Sequence, residues 1–183
     1  MGAIGFVIIF CLGAAILWCI YTYNTFRDKQ SQIDFWWDEV DVHLHLRRDL
    51  IPSLIDRARP LMREEISTLD RIMDIREKMV HEEIAAKSID IEKDAESLEN
   101  RLSSEMHSLQ DSFKKQREIQ MNANLLTVMG ELVSIEGRAI TACEEYNKLA
   151  VGYNTLIKKF PAKLVARWLH FNPREKRIFG EPV

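Results

Sequence analysis

The hydrophobic pattern begins with an uninterrupted apolar run. Residues 1–26 contain no charged side chain, and the first is Arg27. Within that run, residues 3–23 read AIGFVIIFCLGAAILWCIYTY. As a helix rising ~1.5 Å per residue, this stretch spans about 31 Å, enough to cross the hydrocarbon core of a bilayer. It predicts a transmembrane anchor over residues 1–26 that contacts lipid through residues 3–23. Trp18, Tyr21 and Tyr23 cluster at its C-terminal end, where amphipathic rings favour the membrane–water interface, and Arg27 and Lys29 follow immediately. A cleaved signal peptide would carry a basic region before the apolar run and a small-x-small site after it. Neither is present. A lipoprotein would place small residues ahead of its cysteine, whereas Ile8, Ile9 and Phe10 precede Cys11. With Arg27 and Lys29, and Arg47 and Arg48 further on, the basic bias predicts an outside N-terminus and a cytoplasmic domain.

Beyond Arg27 the apolar positions recur at helical spacing, and no strand pattern appears. The one short alternation, residues 40–46, sits inside a longer helical pattern. It reads as a continuation of the membrane helix or as a second helix close behind it. A further helix is expected to start near Asp49, with Asp49 as N-cap and Pro52 in the first turn. Its stripe, Leu50, Leu54, Ala58, Leu61, Leu69, Ile72 and Met79, carries it to about residue 86, with a kink near Asp56 to Pro60. Another helix is expected over 88–116, with Ile91, Ala95, Leu98, Leu102, Met106, Leu109 and Phe113 on its apolar face. Residues 115–124 are polar and mark an interruption. The last long helix, 123–159, repeats every seven residues at Leu125, Leu132, Ala139, Tyr146 and Tyr153, and again at Val128, Ile135, Ala142, Leu149 and Leu156. A further row, Leu126, Val133, Ile140, Asn147 and Asn154, predicts a broader apolar face touching more than one neighbour. After Pro161, residues 162–171 set Leu164, Val165, Trp168 and Leu169 against Lys163 and Arg167. This short segment reads as a cap on the bundle in preference to a membrane-surface helix. The fold class is all-α: an N-terminal transmembrane helix followed by an antiparallel four-helix bundle with long helices. The divisions are an anchor over 1–26, a helical domain over 27–171 and a charged tail over 172–183.

Charge adds little to this picture. Twenty-eight acidic and 25 basic residues, a net −3, are interleaved as on solvated helix faces. No basic stripe of the kind that binds nucleic acid is present. The three cysteines, Cys11, Cys19 and Cys143, form neither a disulfide framework nor a zinc pair. His43 and His45 lie ~200° apart on a helix and cannot share an ion. Glu64-Glu65 and Glu82-Glu83 lack the Glu-x-x-His pattern of paired-metal bundles. Glu136 and Cys143 have no histidine nearby in sequence, and Cys143 reads as a small buried apolar residue. Trp36 and Trp37 lie roughly 20 Å past the end of the apolar run, so core packing or a partner groove suits them better than an aromatic belt. No cofactor, metal or catalytic residue is expected.

Three stretches carry a family pattern: the apolar helix, DFWWDEVDVHLHLRRDLIPSLID over 34–56, and EEYNKLAVGYNTLIKKFP over 144–161. Together they resemble the LemA family, whose members place an Arg-Asp-Leu-Ile-Pro segment after the membrane helix and paired Tyr-Asn motifs before a Phe-Pro. The counterparts are Arg48-Asp49-Leu50-Ile51-Pro52, Tyr146-Asn147, Tyr153-Asn154 and Phe160-Pro161. Residues 70–122 match only in being helical. Cys143 stands where the family usually has Arg, and Ile119-Gln120-Met121-Asn122 stands where it usually has a Tyr-Pro segment. The resemblance implies a four-helix bundle on one membrane helix, placed in a bacterial inner membrane, and implies no reaction. It also singles out Arg48, Asp49, Tyr146, Asn147, Tyr153 and Asn154 as polar structural or partner-binding residues. Asn147 and Asn154 end an otherwise apolar row, and a buried amide left without partners costs roughly 1–3 kcal/mol. They are expected to bond backbone or polar side chains at a helix end near Arg48 and Asp49. The function these features favour is a membrane-anchored scaffold or interaction protein with an unnamed protein partner, and its oligomeric state is open. A lipid-binding or membrane-remodelling protein is the alternative, and an enzyme ranks last.

Overall fold

The computed structural model describes residues 2–85 and 91–177. It is all-α, and no strand occurs among the described residues. In chain order the helices are α1 (Gly2–Ala58), α2 (Ile66–Ala85), α3 (Ile91–Lys115), α4 (Arg117–Gln120), α5 (Ala123–Lys158) and α6 (Ala162–Trp168), with a 3₁₀ turn at Arg63–Glu65 between α1 and α2. The expected helix end at 86, the start at 88 and the tail beyond 177 lie outside the described residues. So do the side chains of Glu82, Glu83, Ile91 and Ala95.

The apolar run does not end in a break. α1 is one helix of 57 residues that carries the run straight on through Asp49 and Pro52. No helix starts at Asp49, which is an exposed residue inside α1. A proline in a helix interior leaves the carbonyl four residues earlier without its donor. Here that carbonyl is Arg48 O, and Arg76 Nε donates to it at 2.8 Å. A side chain from α2 therefore supplies the bond that Pro52 cannot, and the helix continues. Pro60 acts differently from the expected kink. α1 stops at Ala58, whose carbonyl accepts from the N–H groups of both Leu61 and Met62 at 2.9 Å. Pro60 sits in the resulting turn, because its ring clashes with the turn before it and ends the helix. α5 starts cleanly: Asn122 Oδ1 accepts from Leu125 N–H at 3.1 Å, the bond of an N-cap.

The chain divides into two compact units. One combines the chain up to Asp38 with Glu144–Arg177, and the other takes Glu39–Cys143. The division falls inside α1 and α5, with no linker to announce it, and the segment 172–177 belongs to the first unit. In the second unit the end of α1, α2, α3 and the start of α5 form an antiparallel four-helix bundle. Its core is Ile51, Leu54, Ala58, Leu69, Ile72, Met79, Leu102, Met106, Leu109, Leu125 and Leu132 with their neighbours. Among the described residues, the predicted stripes of these helices are buried or half-buried, since period-3.6 apolar faces have one way to leave water. The added row on α5 is not: Leu126 is 46% and Val133 51% exposed. In the first unit, Phe26 and Ile33 of α1 pack with Tyr146, Ala150, Tyr153 and Ile157 of α5 and Val165 and Ala166 of α6. Trp36 and Trp37 lean on that core. From Ile4 on, the first turns of α1 bury nothing. Ile4, Phe6, Val7, Ile9 and Phe10 are all more than half exposed. This end of the helix is long and apolar enough to cross a membrane.

Candidate functional site

In the first unit, the Tyr-Asn pairs are built by α5. Neighbouring residues on a helix point ~100° apart. Tyr146 and Tyr153 therefore face the core, while Asn147 and Asn154 stand half-buried at its edge. Tyr153 is wholly buried. Its ring meets Phe26 edge-on at 6.4 Å and its hydroxyl accepts from Gln30 Nε2 at 3.1 Å. Burial pushes the Tyr153 phenol above its ordinary range.

The two asparagines hold the segment after α6. Asn154 Nδ2 donates to Arg174 O at 2.7 Å, and its Oδ1 accepts from Arg174 N–H at 2.8 Å. Asn147 treats Arg177 in the same way, at 2.6 Å and 2.9 Å. Each amide thus pairs with both backbone groups of one residue, as a neighbouring strand would. The spacing is metrical. Seven residues of helix rise ~10.5 Å and three residues of extended chain ~10 Å, so amides at 147 and 154 match backbone groups at 177 and 174. Tyr146 Oη donates to Glu175 O at 3.0 Å between them. The Arg177 guanidinium lies 5.0 Å over the Trp37 ring, which itself meets the Tyr146 ring at a tilt, 5.4 Å between centroids. Arg174 pairs with Asp34 at 2.7 Å, but both side chains are over a third exposed, and such a pair adds little. The amides thus meet the chain's own C-terminal segment, where a helix end near Arg48 and Asp49 was expected. The reason is that residues 172–177 fold back along α5, which nothing in their composition signals.

In the second unit a polar cluster lies inside the bundle. Arg47 is 2% exposed. Its Nη1 donates to Ser103 Oγ at 2.8 Å and lies 3.6 Å from Glu136 Oε1, and its Nη2 is paired with Glu99 Oε2. Arg48 Nη1 reaches the other Glu99 oxygen at 2.8 Å, and His107 Nε2 is 3.8 Å from Glu136. Glu99, Ser103 and His107 recur at i, i+4 and i+8, so α3 presents them on one face. Burial holds the Glu99 carboxyl above its ordinary range, against the opposing pull of Arg47 and Arg48. Of the expected pair Arg48 and Asp49, Arg48 joins the cluster and Asp49 stays exposed.

Sequence reasoning passed over Arg47, Glu99, Ser103 and Glu136 as a group. One signal was available. Val40, Leu44, Arg47, Ile51, Leu54 and Ala58 follow a strict four-three alternation, so Arg47 occupies a core position of an apolar seam. The seam shows that Arg47 is buried. It does not say which carboxylates receive it.

The remaining candidates separate. Trp18, Tyr21, Tyr23 and Arg27 are exposed near the end of the apolar run, Tyr23 with its ring 5.9 Å from Phe171, and Lys29 bonds Gln32. His43 lies near Glu39 and His45 near Asp41. Cys143 is buried. No cluster of His, Cys, Asp and Glu that could hold a metal occurs among the described residues.

The LemA family model matches residues 36–179. The chain belongs to the LemA family. No curated protein matches it. The LemA match spans both polar clusters, from Trp36 through the residues clamped by Asn147 and Asn154, and begins beyond the apolar run. Each Tyr-Asn pair within that stretch is a tyrosine packed in a core beside an asparagine that fastens residues 174 and 177.

Proposed function

We propose that this LemA-family chain is a membrane-tethered helical scaffold that docks protein partners at the cytoplasmic face. The observation that carries the reading is the change of character along α1: Ile4, Phe6, Ile9 and Phe10 are exposed at one end, while Phe26 and Ile33 are buried further along the same helix. Apolar surface of that extent is unstable in water and stable in a bilayer. The helix then carries its own packed domain without a hinge of irregular chain. Tethering raises the local concentration of the domain beside other membrane proteins, which suits docking better than turnover of a diffusing substrate. Arg27 and Lys29 at the end of the run favour the cytoplasmic side for everything that follows.

Two results are expected of the full chain in a bacterial host. It stays in the membrane pellet after an alkaline carbonate wash, and protease added outside spheroplasts spares the helical domain while protease on everted vesicles removes it. Recovery in the wash would sink the tether, and the opposite protease pattern would reverse the orientation. Crosslinking in native membranes should return a reproducible protein partner; repeated failure to find one removes the scaffold reading.

A further inference from the structure

The first unit has a face that its core does not use. α6 buries Val165 and Ala166. Its opposite side exposes Leu164 (61%) and Trp168 (77%), and Phe160 just before it is 82% exposed. Leu164 and Trp168 are four residues apart and form one stripe. Lys163 and Arg167, also four apart, form a second stripe beside it. Both Lys163 and Arg167 are exposed, as are Lys158 and Lys159 at the end of α5. Residues 156–171 contain no acidic side chain. None of these four basic residues has an ion-pair partner among the described residues.

The position of this face points to its occupant. Phe171 N–H donates to Ala166 O at 2.9 Å, which folds Phe171 back against α6. Its ring then lies 5.0 Å from Phe26 and 5.9 Å from Tyr23. Cys19 packs against the same core. α6 is therefore fixed beside the stretch of α1 where the apolar run gives way to Arg27 and Lys29, the level at which a spanning helix leaves the hydrocarbon. An aromatic and aliphatic stripe flanked by unpaired cations at that level has the composition of an interfacial helix.

We propose that Phe160, Leu164 and Trp168 insert into the headgroup region of the leaflet that α1 leaves, with Lys158, Lys159, Lys163 and Arg167 contacting anionic phospholipid phosphates. This rests on the reading of α1 as a membrane anchor and adds a second, peripheral contact with the same bilayer. The segment caps the first unit with one side and meets lipid with the other. Basic side chains near an anionic surface are attracted within about a Debye length, so the contact depends on lipid charge and ionic strength.

The test uses the full chain reconstituted in vesicles of phosphatidylcholine with anionic phosphatidylglycerol, with bromine on the acyl chains close to the headgroups. The emission lost in Trp168→Phe isolates Trp168 from the other three tryptophans, and its 77% exposure makes the substitution mild for folding. The Trp168 component should be blue-shifted and quenched at least about twofold by bromine, as for a ring at the interface. The quenching should fall in phosphatidylcholine alone, in high salt, and in K158Q/K159Q/K163Q/R167Q. Water-like, unquenched emission overturns the proposal, and so does blue-shifted emission that bromine on the acyl chains does not quench, which would mean that protein covers the ring. Equal quenching without anionic lipid overturns the phosphate contacts. A carbonate wash of the same vesicles keeps the two readings apart: protein retained with an unquenched Trp168 defeats only this inference, whereas protein released defeats the anchor.

Discussion

Arg47→Ala is expected to destabilise the full chain by about 3–5 kcal/mol, the usual result of removing one partner from a buried ion pair. For a chain of this size that is a fall of roughly 6–20 °C in Tm, read by circular dichroism in mild detergent. The reason is the environment the guanidinium leaves behind. Glu99 is 6% and Glu136 8% exposed. Without Arg47 both face the interior with little to balance them. Arg48 still reaches one oxygen of Glu99, and His107 lies at the edge of Glu136, so neither carboxylate becomes wholly isolated. The double variant R47M/E99Q should recover part of the loss, because methionine fills the space and glutamine can still accept from Arg48 without a buried charge. A loss under about 1 kcal/mol in Arg47→Ala would show that the cluster is not holding the bundle.

The same variant carries a pH signature. Burial holds the folded Glu99 carboxyl above its ordinary 4.5. A raised folded value means that the folded chain binds the proton more tightly than the unfolded one. Its contribution to stability is then fully present below the unfolded value and is lost as pH rises through the folded value. Removing Arg47 takes away a charge that opposed this shift, so the folded value climbs further. The deficit of Arg47→Ala should therefore narrow as pH is lowered from neutral toward the ordinary carboxylate range. A deficit that grows with acid would mean that Glu99 is not the group left exposed to the loss.

N147A/N154A is the second large effect, and it is local. Each alanine removes two hydrogen bonds from one backbone residue, at about 1–3 kcal/mol for each residue left unpaired. The amides of Arg174 and Arg177 should lose roughly tenfold or more of their hydrogen-exchange protection. Amides of the four-helix bundle in the second unit, such as those of Leu54 and Ile72, should not change. N147D/N154D is a sharper variant of the same test. A carboxylate still accepts from the backbone N–H but has no proton for the carbonyl, so it should protect less well than asparagine. Unchanged exchange at 174 and 177 would remove the clamp from the account of this chain.

Much of the fold could be read from periodicity because helices with one apolar face have few ways to bury it. The seams on α3 and α5, Leu98 to Phe113 and Leu125 to Tyr153, needed no partner to be recognised. The two prolines were harder. Pro52 was expected in a first turn and Pro60 at a kink, yet Pro52 lies inside α1 and Pro60 follows its end. What separates them is Arg76, which reaches the orphaned carbonyl of Arg48 from another helix. Donors from distant elements leave no local trace.

The candidate site divides in the same way. The apolar run, the helical class, the buried tyrosines and the family all follow from residue type and spacing along the chain, because each depends on short-range geometry or on transfer from water. The partners of polar groups do not. That Arg47 meets Glu99 and Glu136, that Asn147 and Asn154 hold residues 177 and 174, and that Phe171 packs on Tyr23 and Phe26 near the end of the apolar run were all decided by tertiary packing. A hydrogen bond needs two groups within about 3 Å. Only the folded chain brings positions 52 or 30 residues apart to that distance.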